Sequence, residues 1–278
     1  MKYLVGIVTY NPNIIEIKNK LTLLREKEYN VIIVDNSSKN INILKETSKN
    51  FDTFLIENSE NMGIAFALNQ IFEFAEKKKF EWVLTLDQDS DISDSLLETF
   101  SMCPMNNQVG VYCPKVYDII SRTFVQNGKA ETNRKKYSEI DKCITSGSLT
   151  SVKTWKEIGG FDNYLFIDEV DDDFCYRLKK DGYNILIISD AIMNHQIGKT
   201  RVLTLLGRKV FIRNHSAMRK FYITRNRLYL DKKYYGHIKV RTVLMTVMFI
   251  VKTLIFENEK LDKFLASNKG IIYAIRGK

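Results

Sequence analysis

Proline and glycine are scarce in this chain of 278 residues, 3 and 13 respectively. That excludes long flexible or polyproline linkers, and no internal repeat or low-complexity tract interrupts the chain. Cysteine is scarce too: Cys103, Cys113, Cys143 and Cys175 show no C-x-x-C spacing, so neither a zinc site nor a disulfide framework is indicated. Reduced thiols in a cytosolic protein are the expectation. Lys2 is followed by only a strand-length apolar run without a small-residue cleavage site, so no signal peptide is expected. No run approaches the roughly 20 apolar residues of a membrane span. The glycine-rich phosphate loops G-x-G-x-x-G and G-x-x-x-x-G-K are missing, which counts against dinucleotide oxidoreductases and P-loop NTPases.

Acidic residues are missing from one end. Residues 199–278 hold 19 Lys and Arg against 4 Asp and Glu, whereas residues 1–198 hold 23 against 29. An acidic body carries a basic tail, and such a tail seeks phosphate on nucleic acid, on lipid headgroups or on a diphosphate-bearing substrate. With 45% hydrophobic residues the chain can bury a sizeable core as one large domain, or as one domain with an appendage.

Strand and helix alternate through the first ninety residues. Apolar runs at 3–8 and 31–34, a third strand at 51–56, and a run at 82–86 are separated by helical patterns at about 14–27, about 41–48 and from 62–63 onward. This is the α/β signature of a mainly parallel sheet flanked by helices, whose ligands bind outside the carboxyl ends of the strands. Those ends are polar in every case: Thr9 to Asn11, Asp35 to Ser37, Asn58 to Gly63 and Asp87 to Asp91. The last is the most pointed, because alternate residues of an extended segment share a face. Asp87 and Asp89 would then offer hard oxygen ligands suited to Mg²⁺ or Mn²⁺ bridging to a diphosphate, with Gln88 pointing elsewhere. The same residues also suit a polar turn, with Ser93 starting the next helix.

The set VTYNP at 8–12, VDNSS at 34–38, NMGIAFALN at 61–69 and LDQDS at 86–90 resembles the inverting glycosyltransferases of family 2, with the GT-A (Rossmann-like) fold, and most of all their bacterial rhamnosyltransferase branch. The resemblance implies that Thr9, Tyr10, Asn11, Asp35 and Asn36 hold the base and ribose of a nucleotide sugar. By the same resemblance Asn61 and Gly63 line the donor pocket, and Asp87 and Asp89 meet the ribose, the metal and the diphosphate. Ser146, Gly147 and Ser148, in the small-residue segment CITSGSLTSV at 143–152, would border the acceptor.

A second acidic cluster, Asp168, Glu169, Asp171, Asp172 and Asp173, opens a helical pattern that stops at Asp181 and Gly182. Acids suit a first helical turn, Asp168 could cap it, and Asp173 with Arg177 reads as an i,i+4 surface pair. Five close acids nevertheless repel one another, and a carboxylate crowded by like charge can serve as a base. In the family an aspartate six residues before an arginine is the base; here that is Asp171, counted from Arg177. Val170 stands where many members carry Glu, so Asp168 and Asp172 stay rivals. His195 matches the family's H-x-x-G position, which implies a nitrogen ligand joining Asp87 and Asp89 on the metal.

In the tail, His215, Arg219, Tyr222, Arg225 and Asn226 recur at helical steps, and that face could clamp a diphosphate. It resembles the family's H-x-x-x-R-x-Y-Y-x-x-R-N segment with Phe221 for the first tyrosine, which places Arg225 toward the donor and Arg219 and Asn226 toward the acceptor. Residues 242–251 form a ten-residue uncharged run between Arg241 and Lys252. It suits a membrane interface, the protein's own domain or a partner subunit such as a second copy.

The expectation is therefore a catalytic domain over residues 1–205 and a basic, aromatic helical extension over 206–278. Its reaction would be inverting, Mg²⁺- or Mn²⁺-dependent transfer of a sugar, L-rhamnose from dTDP-rhamnose. The acceptor would be a lipid-linked or oligosaccharide hydroxyl in surface polysaccharide synthesis, in the cytoplasm or at the inner face of the membrane. A UDP-hexose or UDP-galactofuranose donor is the alternative within the fold. An alternative of another class is a phosphate- or nucleic-acid-binding module without catalysis, against which stand the acidic body and the lack of any nucleic-acid motif.

Overall fold

A computed structural model describes residues 3–104, 106–118, 123–124, 136–195, 201–205 and 208–277, with positions 123, 195, 201–205 and 208–211 described by backbone alone. The chain divides into two compact units. Met1–Tyr164 with Asp171–Gln196 make the first, and Leu165–Val170 with Ile197–Lys278 the second.

The first unit opens with β1 (Leu4–Thr9), α1 (Ile14–Glu26), β2 (Asn30–Asp35), α2 (Ile41–Asn50), β3 (Phe54–Glu57), α3 (Ile64–Lys77) and β4 (Trp82–Asp87). It continues with α4 (Asp94–Ser101), β5 (Val109–Asp118), β6 (Thr123–Phe124), β7 (Tyr137–Ile140), β8 (Ser148–Ser151), α5 (Val152–Glu157), α6 (Val170–Lys180) and β9 (Asn184–His195). The sheet runs β3-β2-β1-β4-β8-β5-β9-β7, with β6 on β5. Its first four strands are parallel. β8 then lies antiparallel between β4 and β5, β9 is parallel to β5, and β7 is antiparallel to β9.

Local chemistry sets these elements. β1 is buried along its whole length, the condition of a parallel strand covered on both faces. Gly6 lets α3 lie against it, since a Cβ there would stand 2.4 Å from Ile71 Cγ2. Asn13, Ser93 and Ser151 cap α1, α4 and α5 through their side-chain oxygens. Ile17, Leu21 and Leu24 of α1, Leu96 and Phe100 of α4, and alternate residues of β1 and β4 form one core beneath the strand ends.

One boundary differs from the sequence reading. The third strand begins at Phe54 because Phe51 still caps α2 and Asp52 turns with φ 53°. In the 143–152 segment only residues 148–151 are strand, since Gly147 has φ +75° and breaks extension. The apolar runs at 185–188 and 191–193 are one strand. β9 is bulged opposite Pro114, whose missing N–H interrupts a ladder.

The second unit holds the hairpin β10 (Arg201–Leu205) and β11 (Arg208–Ile212), then α7 (Ala217–Tyr235), α8 (Val240–Phe256) and α9 (Lys260–Arg276). Gly270 brings α9 against α7, where a Cβ would lie 2.5 Å from the Phe221 carbonyl oxygen. The interior of this unit mixes Leu165, Ile212, Ile223 and Leu228 with charged groups. Lys220 donates to Thr253 Oγ1 (2.7 Å) and Glu257 Oε1 (2.6 Å), and Lys263 donates to Asn214 Oδ1 (2.7 Å), all around α8 and α9.

Candidate active site

The carboxyl ends of β1, β2 and β4 are stitched together by their own side chains. Asp35, fully buried, accepts from the Thr9 hydroxyl (2.7 Å), the Ser38 amide (2.8 Å) and the Ser38 hydroxyl (2.5 Å). The Asn11 amide donates to Ser38 Oγ at 2.6 Å, with Asn11 itself in the left-handed region at φ 49°. Asn36 donates to the Gly63 carbonyl (3.1 Å) and accepts from Asn58 (3.0 Å). Asn61 Oδ1 accepts from the Gly63 amide (3.0 Å), and Gly63 starts α3 with φ +85°. Tyr10 is half exposed, and its amide donates to Gln88 Oε1 at 2.8 Å. The side chain between the two aspartates thus ties the β4 mouth to the β1 mouth.

One support was invisible as a function in the sequence. Lys20 sits among the apolar positions of α1, nearly buried, and its Nζ donates to the carbonyls of Asp87 (2.9 Å) and Gln88 (3.0 Å). Burial lowers its pKa, and the carboxylates of Asp89 and Asp87 oppose that shift. A lysine on the buried stripe of an amphipathic helix was the available signal.

On the other side of β4, the Asp87 amide donates to Ser146 Oγ (3.1 Å), and the Ser90 and Ser146 hydroxyls are hydrogen-bonded. Thr85 donates to the Thr145 carbonyl (2.6 Å) and accepts the Gly147 amide at its own carbonyl (2.7 Å). Ser148 is buried and donates to the Ile144 carbonyl (2.6 Å). Asp171 faces this turn from the first turn of α6, hydrogen-bonded to Thr145. Burial, then the charge of Asp87, then that of Asp172, pushes its carboxyl up to about 7, against the opposing bonds from Thr145. Beside it, Val111, Cys143, Thr150, Phe161, Phe174 and Cys175 line a small cavity that Asp171 also borders.

The other acids are committed to cations. Asp172 pairs with Lys142 at 2.7 Å. Asp173 is fully buried and takes two bonds from Arg177, at 2.6 and 2.9 Å, so the expected surface pair is an interior one. Asp168 is not a helix cap: α6 begins at Val170, Asp168 has φ +64°, and Arg219 grips its carboxylate through Nε and Nη2 at 2.9 Å each.

That last contact belongs to the second unit. There Asn226, fully buried, donates to the carbonyls of Leu165 (2.8 Å), Ile167 (2.8 Å) and Asp168 (2.9 Å). Arg227 pairs with Glu169 (3.1 Å), and Tyr222 stacks on Phe166 with centroids 4.6 Å apart. Arg225 is buried, with Nε donating to Asn226 Oδ1 and its guanidinium over the Tyr222 ring. Among the described residues, Arg219, Tyr222, Asn226 and Arg227 all contact the 165–169 segment.

His195 closes β9, its backbone paired with Asp118; its side chain lies outside the described residues. Among those residues no group of three or more His, Cys, Asp or Glu converges as a metal site. The donor chemistry at the β4 mouth nonetheless fits a hard divalent cation: two carboxylates two residues apart, with enough negative charge at Asp87 to raise Asp171.

Residues 4–155 match the family described as Glycosyl transferase family 2. The dTDP-rhamnosyl transferase RfbF of Shigella flexneri is 29% identical over 284 residues, covering 98% of this chain and 93% of its own. Among solved structures, S. aureus TarS superposes with a TM-score of 0.57 at 17% identity, covering 93% of this chain, which spans 44% of that longer one. TarS 1–349 in complex with UDP-GlcNAc gives 0.57 at 14% identity, covering 99% of this chain and 82% of its own.

Proposed function

We propose that this chain, which belongs to glycosyl transferase family 2, transfers L-rhamnose from dTDP-rhamnose, with inversion, to a hydroxyl of a lipid-linked or oligosaccharide acceptor of a surface polysaccharide. The observation that carries the reading is Asp171, a carboxyl held near neutral pKa beside the acidic mouth of β4. A base poised near working pH combines a useful ionised fraction with enough basicity to accept a hydroxyl proton. The choice of sugar rests on the near full-length similarity to the Shigella rhamnosyl transferase.

Asp171 takes the acceptor hydroxyl's proton as its oxygen bonds to the anomeric carbon. The bond from that carbon to the diphosphate oxygen breaks on the opposite face, and its electron pair leaves with the nucleoside diphosphate. No covalent enzyme intermediate forms. Asp35, Asn36, Thr9 and Asn11 bind the nucleoside, Tyr10 covers it, and Asn61 and Gly63 shape the wall. Ser146, Gly147 and Ser148 border the acceptor, and Arg225 belongs with the donor diphosphate. A Mg²⁺ or Mn²⁺ ion, held by Asp87 and Asp89 with His195, would supply charge neutralisation for the departing diphosphate.

Thermal unfolding with Mn²⁺ and a panel of nucleotide sugars tests the donor. A ligand at about 100 times its Kd adds roughly 2.7 kcal/mol. The expected result is the largest shift with dTDP-rhamnose. A larger shift with UDP-hexoses would replace the sugar, and no shift with any nucleotide would remove the reading.

A further inference from the structure

The second unit buries charged and hydroxyl groups beside its apolar core and exposes many apolar side chains. Its interior holds Lys220, Lys263, Glu257, Thr224 and Ser267, while nine large apolar side chains of α8 stand exposed. α8 turns Thr246 and Thr253, two helical turns apart, to the inside. Val240 (76% exposed), Leu244, Val247, Met248 (70%), Val251 and Ile255 lie together on the outside. By helical periodicity these six fall within an arc of about 100°. α9 repeats the pattern, burying Lys263, Ser267 and Gly270 while exposing Leu261, Leu265, Ile272 and Ile275. Large apolar side chains exposed in this number mark an interaction site.

Charge selects the occupant. Arg241 and Lys252, eleven residues and so three turns apart, stand on one side of α8, which carries no acid. α9 exposes Lys260, Lys269 and Arg276 against the single Asp262. A second copy packed on this face would set like charges against each other. A leaflet containing anionic lipid satisfies both features, with acyl chains for the apolar arc and headgroup phosphates for the cations beside it.

Among the described residues no helix is long and apolar enough to cross a membrane. α8, 17 residues, is about 25 Å long at 1.5 Å per residue. We propose that the exposed face of α8 and α9 is a docking surface for anionic lipid, with α8 lying in the plane of the interface and Arg241 and Lys252 reaching headgroup phosphates. This deepens the proposed function, resting on it only for the purpose of the contact: it brings the enzyme to an acceptor anchored in the leaflet.

The test is sedimentation of the whole chain with phosphatidylcholine vesicles, with and without added phosphatidylglycerol, across a salt series. The expected result is binding to the anionic vesicles that weakens with salt. The double variant R241Q/K252Q should lose roughly 30-fold in partitioning, since each cation near an anionic surface contributes about a fivefold factor. The variant L244E/M248E/I255E should lose binding while keeping its circular dichroism and any nucleotide-sugar thermal shift. Equal binding to neutral vesicles overturns the anionic assignment. No vesicle binding, whether the protein is monomeric or a dimer that the triple variant dissociates, overturns the surface itself. Vesicle binding without any nucleotide-sugar shift would instead fail the glycosyl-transfer reading and leave the surface standing.

Discussion

Replacing Asp171 with Asn separates a catalytic base from a structural acid, because the two effects have opposite signs. Its carboxyl moves from 3.8 to about 7 on folding, and one unit corresponds to about 1.36 kcal/mol. A raised carboxyl means that the folded state resists ionisation. The cost is absent below the unfolded pKa near 4, grows as pH rises, and is complete above the folded pKa near 7. With residual solvent contact taken into account, the ionised carboxylate costs about 2–4 kcal/mol at pH 8.5. Asp171→Asn removes that cost and keeps an oxygen for Thr145. In metal-free buffer the variant should therefore melt about 5–10 °C above the parent at pH 8.5 and within a degree or so of it at pH 4. Turnover should fall by about 10²–10⁴ with donor binding retained, the usual contribution of general-base catalysis. Paired scans at the two pH values, with initial rates, decide it. A variant that melts lower at pH 8.5, or one that keeps half the parental turnover, refutes the reasoning.

Three further substitutions probe the scaffold. Asn226→Ala leaves the carbonyls of Leu165, Ile167 and Asp168 without their shared donor and should cost about 2–4 kcal/mol, read as a lower urea midpoint at unchanged slope. Lys20→Met keeps the aliphatic stem but frees the Asp87 and Gln88 carbonyls. It should weaken nucleotide-sugar affinity measured by calorimetry while costing about 1–3 kcal/mol of stability. Gly147→Ala forces φ +75° on a residue with a Cβ 2.4 Å from Met193 Sδ and should lower stability by about 1–3 kcal/mol, visible as an earlier thermal transition.

The strand ends were legible because each apolar run stops abruptly in polar residues, and a buried parallel strand has no other way to end at a ligand cleft. Thr9, Asp35, Asn36 and Asp87 stand at those ends. What one dimension concealed was long-range placement. β8 sits between β4 and β5 although it follows them by tens of residues, and only that insertion brings Ser146 and Thr145 to Asp87 and Asp171. Lys20 looked like one basic residue of an ordinary helix. Segment 165–170 groups with the second unit through left-handed backbone at Phe166, Asp168 and Glu169, and no glycine betrays that conformation. Asp173 and Arg177 had the spacing of a surface pair, and only burial distinguishes the interior pair they form.

The reaction's stereochemistry tests the central claim most directly. The enzyme, supplied with Mn²⁺ and dTDP-rhamnose labelled at the anomeric carbon, is followed by NMR through slow hydrolysis, in which water replaces the acceptor. A single displacement assisted by Asp171 predicts that the first sugar released has inverted configuration and that Asp171→Asn slows its release. First release with retained configuration, or release at equal rates from both proteins, would contradict the account.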